Sequence, residues 1–335
     1  MPELPEVETI RRVLAEHLAA ARITEVRCLR QDVLGGASPA AFAAALRGAR
    51  FRCFGRRGKY LLLWLEAPAG GAAGGPLAAE GTGRVPRLLV IHLRMTGRLT
   101  LARRDDPPAP HTHVIFSLAE AGSWEELRFS DPRRFGRLYL LDPAPWAAVL
   151  AAAEWGGSPA PTGLRGAGRG RSGEAAAGAR AAAPGRGGPR GLAELGPEPL
   201  GPGFSARALA RRLAGRRAPV KALLLDQRVV AGLGNIYADE ALFRAGIDPA
   251  RPAGTLEPEE TRRLARAIRR VLRDALAAGG TTFSDYRDGL GRQGEFARRL
   301  AVYGRAGEPC PRCGAAIATR RLGGRTAHYC PRCQR

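Results

Sequence analysis

The chain opens Met1-Pro2-Glu3-Leu4-Pro5-Glu6-Val7-Glu8, and the pair Pro2-Glu3 is where its chemistry begins. Removal of Met1, which the small neighbouring ring permits, leaves Pro2 as a free secondary amine. An α-amino group titrates at about 8, so a useful fraction is neutral and nucleophilic near neutral pH, without the strong desolvation a lysine would need. A secondary amine attacking an aldehyde-level carbon gives an iminium, and the adjacent carboxylate of Glu3 can deliver or collect protons. A helix starting just downstream lowers the amine pKa, while Glu3 and Glu6 raise it. The bland alternative is a frayed terminus in front of an ordinary helix. A second chemical signature closes the chain. Cys310-Pro-Arg-Cys313 and Cys330-Pro-Arg-Cys333 are two C-x-x-C pairs separated by 16 residues, the spacing of a tetrahedral four-thiolate zinc site. Disulfides fit poorly with a chain that opens without a secretion leader. Cys28 and Cys53 lie on expected strands and read as buried thiols rather than ligands.

Several elements must position these groups. Pro5 suits the first turn of a helix, and Val7, Ile10, Leu14 and Leu18 form its apolar stripe. Short segments at 23–29, 50–55, 60–65, 88–93, 113–118, 126–129 and 137–141 read as antiparallel strands of a sandwich, with a helix over 39–47 at its edge. An Ala/Gly-rich stretch at 67–87 reads as a flexible loop between two strands. Lys59, after Arg56-Arg57-Gly58, stands at the start of a strand, where a lysine is usually a solvated edge charge. Met95 lies beside Arg94 and just before the turn glycine Gly97; such a methionine is most often core filler. Asp131-Pro132-Arg133-Arg134-Phe135-Gly136 is a turn carrying two guanidinium groups and an aromatic ring, able to contact phosphate or base and wedge into a stack, or simply to cap the sandwich.

From Trp155 the composition shifts. Residues 164–193 are mostly Gly, Ala, Arg and Pro, too poor in large apolar groups to bury a core, and read as a disordered linker within 161–193. The second half is helical, with helices at 204–213, 219–226, 235–244 (ending at Gly246) and 258–277. The short helices joined by a Gly-containing turn resemble a helix-turn-helix DNA-binding unit, with Asn235 placed to hold a phosphate. Residues 281–296 form a Gly/Asp/Arg loop long enough to close over something. Between the cysteine pairs, 315–320 and 325–329 can pair as a hairpin about Gly323-Gly324. Its core is small, so the metal would supply folding energy.

The chain has 335 residues, enough for two or three domains, with 53 Lys plus Arg against 31 Asp plus Glu and a formal charge of +22. That balance points to a polyanionic partner, nucleic acid ahead of a membrane surface. The sequence has no uninterrupted apolar stretch of spanning length and reads as soluble and cytoplasmic.

Taken together, six motifs in order resemble the formamidopyrimidine-DNA glycosylase family: the opening Met-Pro-Glu-Leu-Pro-Glu-Val-Glu-Thr, Gly-Lys-Tyr-Leu-Leu-Leu around Lys59, Asp-Pro-Arg-Arg-Phe-Gly at 131–136, Leu-Gly-Pro-Glu-Pro-Leu at 195–200, Gly-Leu-Gly-Asn-Ile-Tyr-Ala at 232–238, and the four-cysteine finger. The resemblance covers nearly all of the chain except 67–87 and 164–193. It implies an α+β multidomain fold: a catalytic β-sandwich flanked by helices (1–160), a helix-two-turns-helix domain (194–304) with a lesion loop at 281–296, and a zinc-bound β-hairpin finger (305–335). It implies a bifunctional glycosylase and AP lyase that flips oxidised purines, 8-oxoguanine opposite cytosine or formamidopyrimidines, into a pocket between two domains. Pro2 would attack C1′ and Glu3 would donate a proton. Lys59 would serve β-elimination and Arg325 δ-elimination. Met95, Arg133 and Phe135 would fill the vacated stack, with Arg133 reading the orphaned cytosine. His111, Arg133, Arg217, Lys221 and Asn235 would contact DNA. One structural Zn2+ is implied, and the partner is double-stranded DNA with oxidised bases or abasic sites. The protein would be a bacterial monomer associated with the nucleoid.

The resemblance departs at Arg217, where a lysine can occur, and in the long basic linker, which would add nonspecific DNA affinity. Three alternatives stand beside it: an endonuclease VIII-type enzyme for oxidised pyrimidines, against which Leu4, the 131–136 loop and the long 281–296 loop argue; a non-catalytic DNA-binding zinc protein, favoured by a retained Met1; and a zinc-ribbon RNA binder, favoured by a preference for structured RNA.

Overall fold

The computed structural model describes residues 2–69, 83–156, 161, 188–283 and 286–335. Most of the 67–87 loop, residues 164–187 of the expected linker and the fate of Met1 therefore lie outside the described residues. The chain divides into two compact units: Met1–Pro2, Val7–Ala193 and Ser284–Gln293 in one, and Glu3–Glu6, Glu194–Phe283 and Gly294–Arg335 in the other.

The first unit is the sandwich. Helix α1 (Leu4–His17) starts with Pro5 and Glu6 in its first turn, and Val7, Ile10 and Leu14 are buried at the 3–4 spacing that places them on one face. Eight strands follow: β1 (Arg22–Cys28), β2 (Arg50–Arg57), β3 (Tyr60–Pro68), β4 (Arg84–His92), β5 (Arg98–Ala102), β6 (Thr112–Ala119), β7 (Glu126–Ser130) and β8 (Arg137–Leu141). They run in the order β5-β7-β6-β1-β2-β3-β4-β8. β1 and β2 meet at the pair Arg22–Arg50, so the sheet folds there into two four-stranded antiparallel layers. Leu61, Leu63, Leu65, Leu89 and Ile91 from one layer share a core with Val114, Phe116 and Leu118 from the other, closed by Phe42 of helix α2 (Pro39–Leu46). β3 and β4 are apolar on both faces for a physical reason. Their second face is covered by the segment after helix α3 (Ala147–Ala151), where Trp155 meets Trp64 edge-on. The sequence reading missed β5 and α3, which are five residues each, too short for a period to stand out.

Two expectations shift in this unit. β3 and β4 extend to Pro68 and back from Arg84, which confines any loop to the residues between them. At the other end, Arg190–Ala193 forms a short helix, α4, with Leu192 buried. The stretch around Tyr286 also belongs here: Tyr286 joins the sandwich core and Leu101 N–H donates to Gly289 O at 2.8 Å.

The second unit is helical. α5 (Ala206–Leu213) is capped by Ser205, whose hydroxyl accepts from Ala208 N–H. α6 (Val220–Leu225) and α7 (Asn235–Ala245) flank the Gly-rich turn, and α7 stops at Gly246 in the left-handed region, φ 72°. α8 (Pro258–Ala277) carries a capping box between Glu257 and Glu260. The finger hairpin pairs β9 (Ala318–Leu322) with β10 (Arg325–Tyr329) about Gly323-Gly324. Its own core is Phe243, Val302, Cys310, Ile317 and Cys330. Buried Glu240 of α7 accepts backbone N–H bonds from Ala301, Val302 and Tyr303, fixing the segment that leads into the finger.

Candidate active site and metal centre

Pro2 is buried directly ahead of α1, in contrast to a frayed terminus. Its neighbour Glu3 is only 2 % exposed. The Glu3 carboxylate accepts from Ile236 N–H at 3.1 Å, one of the unsatisfied donors at the start of α7. That helix end attracts negative charge, so the motif Gly232-Leu233-Gly234-Asn235 works as a seat for Glu3. Both glycines are required by contact. A Cβ on Gly234 would lie 2.3 Å from the Glu3 carboxyl carbon, and one on Gly232, which sits at φ +80°, would lie 2.8 Å from Leu4 Cβ. Leu4 N–H donates to Gly232 O at 3.0 Å. Gln227 braces the turn, accepting from Gly232 N–H at 2.9 Å and donating to Leu233 O at 2.8 Å.

Glu6, read from sequence only as a helix-start charge, is a structural centre. Its carboxylate accepts from Glu3 N–H and Thr281 N–H, each at 2.8 Å, and from the Tyr237 hydroxyl. Tyr237 is in turn 2.8 Å from the Thr281 hydroxyl. Burial raises the Glu6 pKa against the lowering effect of these bonds, and burial with the Glu6 charge drives Tyr237 well above the ordinary phenol range. This network fixes the backbone of Glu3. The one signal available in the sequence was the Glu3-x-x-Glu6 spacing of a reciprocal cap.

Lys59 follows Gly58, at φ +57°, in the tight turn between β2 and β3. It is 7 % exposed, not the solvated edge charge typical of such positions. Near it His92, held edge-on to Tyr60, is pushed down to about 3 by burial and by the charges of Arg94 and Lys59. His92 is therefore neutral, and its Nδ1 accepts from Arg94 N–H at 3.0 Å. Arg325 begins β10 beside the Gly323-Gly324 turn and is exposed.

Met95, Arg133 and Phe135 come together in the first unit. Arg133 Nη1 lies 3.5 Å from Met95 Sδ, and its guanidinium carbon is 5.3 Å from the Phe135 ring centre. Phe135 is 49 % exposed and Met95 half-buried, so neither is core filler. His111 and Arg217 are exposed. Lys221 requires a correction to its expected role as a DNA contact. Its side chain is fully enclosed, paired with Asp239 at 2.6 Å and donating to Thr326 O at 2.7 Å. Burial lowers its pKa against the pull of Asp239. It links α6 and α7 to β10, and Asp239 continues the link by accepting from His328 N–H. Asn235, whose amide was expected on a phosphate, donates to the same Thr326 O at 3.2 Å.

The four cysteines converge, with all ligand sulfurs within 4.8 Å of one another. Cys310–Cys333 is 3.9 Å and Cys313–Cys330 3.5 Å between sulfurs, against the edge of about 3.8 Å set by a tetrahedron with metal–sulfur bonds of about 2.3 Å. The donor set is that of one structural zinc ion, and all four cysteines are free of disulfides. Cys313 is lowered to about 7 by the N–H of Ala315 and the neighbouring thiols, a state ready for a cation. Cys28 and Cys53 are half-buried and stand apart from this cluster, with burial raising Cys28 to about 11.

Three family models match: the formamidopyrimidine-DNA glycosylase N-terminal domain over residues 1–138, its H2TH domain over 195–287, and a zinc finger found in FPG and IleRS over 307–335. A formamidopyrimidine-DNA glycosylase of Symbiobacterium thermophilum is 44 % identical over 334 residues, covering 100 % of this chain and 89 % of the relative. Among solved structures, the MutM (Fpg) protein of Thermus thermophilus is 38 % identical with a TM-score of 0.71, covering 99 % of this chain and 98 % of the other. A Lactococcus lactis Fpg mutant bound to DNA containing Fapy-dG is 28 % identical with a TM-score of 0.75, and the match covers 100 % of both chains.

Proposed function

On the premise that this chain belongs to the formamidopyrimidine-DNA glycosylase family, we propose that it is a DNA repair glycosylase and AP lyase that removes oxidised purines, 8-oxoguanine opposite cytosine and formamidopyrimidines, from duplex DNA. With Met1 removed, the Pro2 nitrogen attacks C1′ of the damaged nucleotide. The C1′–N bond breaks, the base leaves with a proton, and the sugar ring opens to an iminium on Pro2. Glu3 supplies the proton that opening of the ring requires. Loss of the 3′ phosphate by β-elimination is assigned to Lys59 and loss of the 5′ phosphate by δ-elimination to Arg325, leaving a one-nucleotide gap. Met95, Arg133 and Phe135 occupy the space the base vacates, where unstacking costs a few kcal/mol that such wedges help offset. His111, Arg217 and Asn235 contribute to the phosphate-facing surface. The zinc finger holds the hairpin that carries Arg325.

The observation that carries this reading is the seat of Glu3: a buried carboxylate clamped to Ile236 N–H, directly beside the buried Pro2. A formal charge of +22 suits a polyanionic substrate. Among the described residues no helix is long and apolar enough to cross a membrane, and we assign the protein to the cytoplasm with the nucleoid, working as a monomer.

The test is borohydride trapping on a duplex with one 8-oxoguanine opposite cytosine, with peptide mass spectrometry to locate the adduct. An adduct on Pro2 establishes the imine route. Absence of an adduct, with Met1 shown to be gone and zinc bound, refutes the assignment and turns attention to oxidised pyrimidines or a non-catalytic role.

A further inference from the structure

The Met95, Arg133 and Phe135 side chains project from segments that are short, polar and largely exposed, so something must hold them together. Asp131 occupies that position. It is 0 % exposed. One carboxylate oxygen accepts from the Thr96 hydroxyl and from Arg133 N–H at 3.2 Å, and the other accepts from Gly136 N–H at 2.7 Å. Its backbone N–H donates to His111 O at 3.0 Å, and its carbonyl accepts from Arg134 N–H at 3.1 Å and lies 2.8 Å from His113 Nε2. Three separate segments thus converge on one residue: the turn bearing Met95, the turn bearing His111, and the loop bearing Arg133 and Phe135.

Each of these segments contains a strained residue. Arg94, His111 and Arg134 all have positive φ, at 56°, 62° and 55°, a conformation that non-glycine residues hold only when their surroundings over-determine it. The space is also closed. A Cβ on Gly136 would lie 2.7 Å from the Phe129 ring and 3.1 Å from the Asp131 carboxylate. The outer tie between Arg134 and Asp32, 3.1 Å, is nearly half exposed and contributes little. Deep, charge-assisted and multiply bonded, the Asp131 carboxylate is the strong tie.

We propose that Asp131 is a positioning residue whose carboxylate aligns Met95, Arg133 and Phe135, and so sets how well the protein keeps a damaged base out of a DNA duplex. The inference rests on the reading that those three side chains fill the vacated stack. It requires a carboxylate rather than an amide. All of the partners of the two oxygens are donors, and the two backbone N–H groups cannot reverse. An asparagine would turn its NH2 toward either Gly136 N–H or Arg133 N–H, and one edge of the loop would lose its acceptor.

The test compares Asp131→Asn, Thr96→Val and Thr96→Ser with Phe135→Ala and Met95→Ala in the full zinc-loaded protein. Two rates are taken for each: single-turnover excision of 8-oxoguanine from a duplex, and scission at a preformed abasic site in a single strand, where there is no stack to fill. The ratio of the first to the second is expected to fall about tenfold in Asp131→Asn, the scale of one lost charge-assisted hydrogen bond. It should fall less in Thr96→Val and recover in Thr96→Ser. The fluorescence rise of a 2-aminopurine placed beside the lesion, which reports unstacking, should fall with the ratio. The inference is overturned if Phe135→Ala and Met95→Ala lower the ratio while Asp131→Asn and Thr96→Val leave it at the parent value. Should Asp131→Asn fail to fold, Thr96→Val against Thr96→Ser decides the matter, and a parent-like ratio in Thr96→Val rejects the proposal. If Phe135→Ala and Met95→Ala also leave the ratio unchanged, the stack-filling assignment itself is wrong and this inference goes with it.

Discussion

Replacing Gly234 with alanine should abolish most of the catalysis while leaving the fold intact. Gly234 has φ −134° and ψ −162°, extended values that alanine adopts freely, so the backbone loses nothing. The new Cβ would instead stand 2.3 Å from the Glu3 carboxyl carbon and 2.4 and 2.7 Å from its two oxygens, where ordinary contact begins at 3.4 Å. The carboxylate must therefore retreat by about 1 Å, which breaks its bond to Ile236 N–H, now 3.1 Å. Loss of one hydrogen bond to a charged acceptor costs about 1.5–3 kcal/mol of stability. A 1 Å misplacement of a catalytic group costs about 100-fold in rate. Single-turnover excision from an 8-oxoguanine:cytosine duplex, alongside thermal unfolding, measures both. Glu3→Gln is the control for loss of the proton donor without steric displacement. If Gly234→Ala retained the parent rate within about threefold, less than the 0.7 kcal/mol or so that this ratio represents, the seat would not be what positions Glu3.

Four further outcomes follow from the same geometry. Burial raises Glu8, but its bonds to Arg11 and the charges of Arg11 and Arg56 more than reverse this and hold it below the ordinary glutamate range. Its stabilisation is thus present above the unfolded pKa and lost as pH falls through the lower folded value, so Glu8→Gln should cost about 3 kcal/mol at neutral pH and progressively less in acid, as read by urea unfolding across that range. Exposed Arg325 can be replaced by alanine with less than about 0.5 kcal/mol of destabilisation, and gel analysis of the cleaved strand should then show β-elimination without δ-elimination. Lys221→Met leaves Asp239 buried without its cation and should lower stability by about 3–5 kcal/mol, a loss largely recovered in Lys221→Met/Asp239→Leu by thermal unfolding. Removing zinc with a mercurial and a chelator should release about one ion per chain and abolish DNA binding in a gel-shift assay, while most helical circular dichroism remains, because the finger has so small a core of its own.

Much of the candidate site lies close together along the chain. The proposed nucleophile and its acid are adjacent in sequence, the zinc ligands fall in two local pairs, and Asp131 to Gly136 lies in one loop. These are features a linear reading captures. Where it misjudged a residue, the deciding partner was far away along the chain. Lys221 looked like a phosphate contact until Asp239 and Thr326 were seen to enclose it. Glu6 looked like a helix-start charge until Tyr237 and Thr281 arrived from more than 230 residues away. Met95, by residue type most often core filler, instead stands against Arg133.

The sequence by itself determined the chemistry available, the family, most of the sandwich strands, marked off by their turn residues, and the long helix α8, because each depends on residues within a few positions of one another. Only the tertiary structure decided which charges are exposed and which are committed inside. It showed that Gly234 is glycine because of Glu3, that Glu240 fixes the approach to the finger, and that three strained turns converge on Asp131, two through its carboxylate and the His111 turn through its backbone N–H. Burial and hydrogen-bond partnership depend on long-range packing, and they set whether a given lysine or carboxylate serves the substrate or the fold.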